Sequence, residues 1–164
     1  MNEIDVFIEI PYHSNVKYEI DDNNHLRVDR VLSTSMVYPG NYGYIPDTLA
    51  GDGDPLDAII INHTPFVPGC FVKCRVIGIL NTMDENGMDE KVICVPIDKI
   101  EKKFSKYQDI TDVSESKLNM IKHFFENYKS LEFGKYVKVT GFGNKEQAWS
   151  VIYESYNRKK IETD

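Results

Sequence analysis

Strand-length apolar runs dominate the first two thirds of the chain, and helix-like periodicity appears only after them. Val6, Ile8 and Ile10 alternate with Phe7 and Glu9, and similar runs follow at Val16 to Ile20, Leu26 to Leu32, Ala58 to Asn62, Phe71 to Leu80 and Val92 to Val95. Alternation with a period of two residues marks a strand with one buried face. So many short strands would leave unpaired edges, and a closed barrel is the simplest way to remove them. Further on, Leu118, Ile121, Phe124, Phe125 and Tyr128 recur at three and four residues, as one face of an amphipathic helix does. Asp112 and Glu115 have capping-box spacing ahead of that helix, which is expected to end near Gly134. Lys135 to Gly141 reads as another strand, and Asn144 can cap a last helix carrying Ala148, Val151, Ile152 and Tyr156. The expectation is an α+β fold, with a β-barrel and helices packed outside it.

With 164 residues, 41% of them hydrophobic, the chain can bury one proper core without disulfides or metal. No Ser/Gly linker, repeat or low-complexity stretch interrupts it, so residues 1–164 are expected to form a single domain. No apolar run approaches a membrane span, and Met1-Asn2-Glu3-Ile4-Asp5 is acidic where a secretory signal is basic and then apolar. A cytoplasmic protein with no membrane partner is expected. Cys70, Cys74 and Cys94 cannot all pair with one another, and Cys74 and Cys94 lie in apolar runs. Buried free thiols are expected rather than a zinc site, which lacks a fourth sulfur and suitable histidine spacing. The net charge of −7 argues against nucleic acid as the main partner, and an anionic substrate would need local cations.

Two acidic segments carry the chemistry. Asp52-Gly53-Asp54-Pro55-Leu56-Asp57 puts three carboxylates into six residues, beside a glycine and a proline that prevent helix or strand from spreading them apart. Carboxylates this close repel one another unless a cation or water screens them, and hard oxygen ligands suit magnesium, manganese or calcium better than zinc. Asp-Gly and Asp-Pro are also ordinary turn dipeptides, so this segment alone leaves a solvated turn open. The second segment, Asp84-Glu85-Asn86-Gly87-Met88-Asp89-Glu90, joins two predicted strands and ends at Lys91. Neither is an EF-hand, because counting from Asp84 puts Val95, and from Asp52 puts His63, where a bidentate glutamate belongs. Around them lie groups able to hold phosphate: Lys17 and Glu19 on one strand face, Arg30 in Val28-Asp29-Arg30, and Tyr38 and Tyr42 flanking Pro39-Gly40-Asn41. Tyr128 continues the apolar stripe of its helix, whereas Lys129 points off it.

In order, the chain runs through Glu9-Ile10-Pro11, Lys17-Tyr18-Glu19, Val28-Asp29-Arg30, Tyr38-Pro39 with Asn41-Tyr42-Gly43-Tyr44, the triple-aspartate segment, Asp84 to Lys91, and His123-Phe124-Phe125-Glu126 leading to Tyr128-Lys129. This series resembles the soluble family I inorganic pyrophosphatases in their bacterial form. The resemblance covers nearly the whole chain, and Asp-x-Asp-Pro-apolar-Asp preceded by Tyr-Gly-Tyr is highly specific. It implies a five-stranded OB-type barrel with additional short strands and two helices in the C-terminal half. It also implies magnesium-dependent hydrolysis of pyrophosphate to two orthophosphates by in-line attack of a metal-activated water, with manganese or zinc able to substitute for magnesium. Carried over by position, the metal-binding carboxylates fall on Asp52, Asp57, Asp84 and Asp89, with Glu9 and Glu19 in the surrounding shell. The general base falls on Asp54. The phosphate-binding groups fall on Lys17, Arg30, Tyr42, Lys91, Tyr128 and Lys129, and Tyr38 lines the same cavity. The implied assembly is a homo-oligomer, in the usual case a hexamer. Two departures bear on the hexamer rather than on catalysis: the chain starts close to the Glu9 strand, and Asn127 stands where some relatives carry a histidine near a subunit contact.

The metal reading has a chemical rationale. Pyrophosphate carries several negative charges, which repel a water nucleophile and make phosphate a poor leaving group until they are neutralised. A nucleic-acid module is the rival class, because barrels of this type bind single strands through aromatics and a basic groove. This chain has the aromatics but no basic groove in its sequence.

Overall fold

The computed structural model describes residues 2–163; Met1, where the acidic N-terminal stretch begins, and Asp164 lie outside them. The strands are β1 (Glu3–Ile10), β2 (Val16–Ile20), β3 (Leu26–Val31), β4 (Asn41–Tyr44), β5 (Asp57–Ile60), β6 (Phe71–Asp84), β7 (Gly87–Pro96) and β8 (Val137–Asn144). The helices are α1 (Glu115–Asn127) and α2 (Lys145–Thr163). Strands β1, β4, β5, β7 and β6 close into a ring, because β6 pairs with β7 and also returns to β1. This is the expected five-stranded OB-type barrel, to which β8 is added along β6. β2 and β3 form a separate hairpin.

The one parallel pairing in the ring, β5 with β7, explains the unbroken apolar runs at Ala58–Ile61 and Val92–Val95. Ala58, Ile60, Val92 and Cys94 enter one core cluster, and their neighbours Ile59, Ile61, Ile93 and Val95 enter the other. A strand buried on both faces loses the polar half of its alternation. Ala148, Trp149 and Ile152 of α2 pack into the first cluster, and Ile121, Phe124 and Phe125 of α1 into the second. Ile152, Ile121, Phe124 and Phe125 each contribute about 1.5–3 kcal/mol when fully buried. Asn144 caps α2 as expected, its Oδ1 accepting the Gln147 N–H at 2.9 Å. Cys70, Cys74 and Cys94 are free thiols, the latter two buried.

Several boundaries differ from expectation. Asn41–Tyr44 is a strand, hidden in the sequence by its asparagine and glycine. The acidic segment at Asp84 is not an open loop: β6 runs to Asp84 and β7 starts at Gly87, so Asp89 and Lys91 stand on a strand. Ser114, not Asp112, caps α1, its Oγ accepting the Lys117 N–H at 3.2 Å. Asp112 instead accepts the backbone N–H groups of Gln108 and Asp109 in the preceding short 3₁₀ turn. α1 stops at Asn127 rather than near Gly134, because Lys129 turns inward to Asp84 and Glu85. The chain then proceeds by turns through Gly134, which has a positive φ of 73°, and β8 starts at Val137, not Lys135.

Gly43 is the tightest point of the ring, where a Cβ would lie on the Phe7 carbonyl oxygen across the β1–β4 pairing. Gly51 has nothing within 4 Å of the same position. Gly43→Ala is therefore expected to destabilise by about 3 kcal/mol or more, lowering Tm by roughly 6–12 °C or preventing folding. Gly51→Ala should melt within about 2 °C of the wild type. Calorimetric scans of the two variants check this, and equal melting temperatures would contradict it.

Candidate active site

The strand registers gather the polar residues at one end of the barrel. β5 and β7 place Asp57 beside Lys91, and β4 and β5 place Tyr44 beside Asp57, two residues from Tyr42. The β2–β3 hairpin sets Lys17 opposite Arg30. Every residue singled out from the sequence lines one cavity of about 540 Å³: Glu9, Lys17, Glu19, Arg30, Tyr38, Tyr42, Asp52, Asp54, Asp57, Asp84, Asp89, Lys91, Tyr128 and Lys129.

Lys91 stands at the centre and is only 4% exposed. Its Nζ donates to the Tyr42 hydroxyl at 2.6 Å, to Asp89 Oδ2 at 3.0 Å and to Asp57 Oδ2 at 3.3 Å. Tyr42 in turn donates to Asp57 Oδ2 at 2.7 Å. Burial opposes the charge on Lys91, but Asp57 and Asp89 outweigh it and raise its pKa. Burial pushes the phenols of Tyr38 and Tyr42 well above their usual range, so Tyr42 keeps the proton it donates.

The other cations are also held on carboxylates. Lys17 meets Glu19 at 2.7 Å, and that bond raises its pKa against the opposing effect of burial. Arg30 meets Asp29 and Glu132, each at 3.3 Å. Lys129, buried just past α1, meets Glu85 at 3.3 Å and Asp84 at 3.6 Å. Tyr128 stacks on Phe124 with ring centroids 5.2 Å apart, continuing the apolar stripe at the helix end.

The carboxylates outnumber these cations, and several resist ionisation. Burial and then Asp57 push Glu9 up to about 7. Burial raises Asp57, which the adjoining Lys91 only partly offsets, and burial also raises Asp52. The Asp52 segment is a tight turn: Asp52 Oδ1 accepts the Asp54 N–H at 3.0 Å, and Gly53 has a positive φ of 91°. Among the described residues the Asp54 carboxylate has no hydrogen bond or ion pair, unlike those of Asp57 and Asp89.

Among the described residues no three acidic or thiol groups already form a closed ligand cage. The donor set nonetheless fits hard divalent cations. It is made of oxygens, it is crowded, and burial followed by neighbouring carboxylates raises the pKa of three of its members. The sequence reading missed Glu85 and Lys135, which also line the cavity. Glu85 adjoins Asp84 in the acidic segment and is legible with it, whereas the strand-like run from Lys135 gives no sign that this lysine reaches the cavity.

The chain matches the family model described as inorganic pyrophosphatase over residues 6–160. A Rickettsia prowazekii protein named inorganic pyrophosphatase is 50% identical over 159 residues, covering 96% of this chain and 92% of that protein. One from Helicobacter pylori is 53% identical over 148 residues, covering 90% and 86%. A solved Helicobacter pylori inorganic pyrophosphatase aligns with a TM-score of 0.95 at 49% identity, over 97% of this chain and 94% of that one. The Thermus thermophilus structure gives 0.94 at 43% identity, over 97% and 92%. With the motifs, the barrel and residues 6–160 of the chain in agreement, this protein belongs to the inorganic pyrophosphatase family.

Proposed function

We propose that this chain hydrolyses inorganic pyrophosphate to two orthophosphates with magnesium. The observation that carries this is the arrangement around Lys91, where anion-binding cations and cation-binding carboxylates share one cavity and neutralise each other. Pyrophosphate complexed with a divalent cation brings both partners that this set lacks.

Asp52, Asp57 and Asp89 would hold magnesium, with Asp84, Glu9 and Glu19 around them; manganese or zinc would be substitutes. When bound, the metal supplies charge neutralisation and lowers the pKa of water toward neutrality. As the carboxylates turn to cations, Lys91 and Lys129 lose their internal partners and become available to phosphate oxygens, joined by Lys17, Arg30, Tyr42 and Tyr128. Their positive charge favours the departing phosphate, on which negative charge grows in the transition state. Tyr38 packs against Tyr42, Phe124 and Tyr128 and keeps that wall in place. Asp54 accepts the proton of the attacking water, a role supported by its carboxylate having no hydrogen bond or ion pair among the described residues. The family resemblance supports a cytoplasmic homo-oligomer, a hexamer in the usual case, built from one domain over residues 1–164. No helix of the described residues is long and apolar enough to cross a membrane. The net charge of −7 supports a small metal-complexed anion over nucleic acid as the partner.

Purified protein with pyrophosphate and magnesium should release two phosphates per substrate molecule, and no release would overturn the proposal. In the same assay Asp54→Asn should lower kcat by roughly 10²- to 10⁴-fold, the range for general-base catalysis, with little change in the magnesium requirement. Asp57→Asn removes a charge from the ligand set, so excess magnesium should recover part of its activity. Equal rescue of both variants would make Asp54 a ligand rather than the base.

Glu9 makes metal-free protein sensitive to pH. Below an unfolded value of 4.5 the carboxyl is protonated in both states, whereas above about 7 the folded protein must ionise it in a buried place. The contribution of Glu9 to stability is therefore fully present below 4.5 and is lost as pH rises to about 7, by about 3 kcal/mol, or roughly 6–12 °C in Tm. Melting curves in chelator from pH 4.5 to 7.5 should fall accordingly, and magnesium or Glu9→Gln should flatten them. A melting temperature that rises through this window would contradict the assignment.

A further inference from the structure

Lys17 and Arg30 occupy facing positions of the β2–β3 hairpin, so like charges approach the cavity from adjacent strands. Such pairs repel unless counter-charges hold them. Lys17 is held by Glu19 and Asp29, and Arg30 Nη1 by Asp29, all within the hairpin. The second Arg30 contact leaves the hairpin. Its Nη2 lies 3.3 Å from Glu132 Oε2, on the segment that follows α1 and carries Tyr128, Lys129 and Lys135. Among the described residues no other ion pair joins the hairpin to that segment. The side chains of Arg30 and Glu132 are only 24% and 18% exposed. Arg30 Nε and Glu132 Oε2 are sealed from solvent and have no hydrogen-bond partner among the described residues.

Arg30 lines the cavity and Glu132 does not, so the carboxylate backs the guanidinium from outside the site. A guanidinium carries five N–H donors in a fixed fork. The contact is an ion pair rather than a hydrogen bond, so the carboxylate holds the guanidinium by charge and leaves its N–H donors for an anion in front. Removing the carboxylate leaves Arg30 tethered only within its own hairpin, and the two cationic arms of the cavity lose their charged link.

We propose that Glu132 is a positioning residue, which holds Arg30 toward a substrate phosphate and ties the hairpin to the Lys129 segment. It rests on the reading of pyrophosphate as substrate. The test compares wild type, Glu132→Ala and Glu132→Gln, each alone and with Arg30→Ala. Pyrophosphate kinetics are measured alongside equilibrium binding of imidodiphosphate, a non-hydrolysable analogue, in magnesium buffer. Glu132→Ala should raise the analogue Kd by about 10- to 100-fold and lower kcat/KM by at least as much, because Arg30 also meets the charge that grows on the departing phosphate. Glu132→Gln keeps an acceptor oxygen in place and should recover part of the loss; it carries the test if Glu132→Ala fails to fold. In the Arg30→Ala background either Glu132 change should alter kcat/KM and Kd by less than about twofold, because the group it positions is gone. Wild-type affinity in Glu132→Ala and Glu132→Gln overturns the proposal, as does an undiminished effect without Arg30, which would mark a merely structural role. Both results leave pyrophosphate hydrolysis by the wild type standing. A wild type that releases no phosphate overturns the underlying reading, and this proposal with it.

Discussion

The ion pairs of Lys91 with Asp57 and Asp89 are the contact on which the rest of the site depends. They put a fully charged lysine on the barrel floor at 3.0 and 3.3 Å from two carboxylates, with the Tyr42 hydroxyl at 2.6 Å. Burial alone would strip the charge from such a lysine, and its raised pKa shows that the carboxylates prevail. Burial nevertheless raises the pKa of Asp57 beside that lysine, and it raises Asp52 and Glu9 as well. The site is short of positive charge, and its cations are already committed. On the proposed reading, the carboxylates would hold divalent metal and the lysines so released would be available to phosphate, so each ligand would relieve the other's obstacle. Such coupling is reciprocal by necessity, each ligand tightening the other.

The barrel makes this arrangement rigid where rigidity is needed. Asp57 and Lys91 sit at the starts of the parallel pair β5–β7, which is buried on both faces, so neither backbone can shift without moving the core. Tyr42 stands on β4, pinned where Gly43 meets the Phe7 carbonyl. By contrast, Asp52 and Asp54 lie on an exposed turn, anchored behind by Leu49, whose N–H donates to the Ser155 carbonyl at 3.0 Å and whose carbonyl accepts from Arg158 at 2.6 Å. A proton acceptor placed on such a turn can reach solvent water, while Asp52 on the same turn joins the strand-borne Asp57 and Asp89 in lining the cavity.

Most of this was legible in the sequence because the features are local. The alternation of Val6, Ile8 and Ile10 gives β1, and Asn144 caps its helix as its residue type implies. The order of motifs also identified the cavity residues, since each sits at a fixed place on a strand or turn. What was hidden depends on long-range contact. Asn41–Tyr44 has poor strand composition and is a strand because β1 and β5 pair with it on both sides. The end of α1 could not be read from its periodicity, because the inward turn of Lys129 toward Asp84 and Glu85 sets it. Glu132 was hidden for the same reason: it fell in the expected continuation of a helix, and only the folded chain brings it to Arg30.

The central claim is that the cavity accepts cations first and the anion only through them. Titrating imidodiphosphate into the protein by calorimetry, once with chelator and once with free magnesium, tests it most directly. Binding should be undetectable at sub-millimolar concentrations in chelator and tight with magnesium, and the magnesium affinity should rise by the same factor when the analogue is present. Equal affinity for the analogue with and without magnesium would show that the cations of the cavity were never tied up by its carboxylates, and would contradict the account.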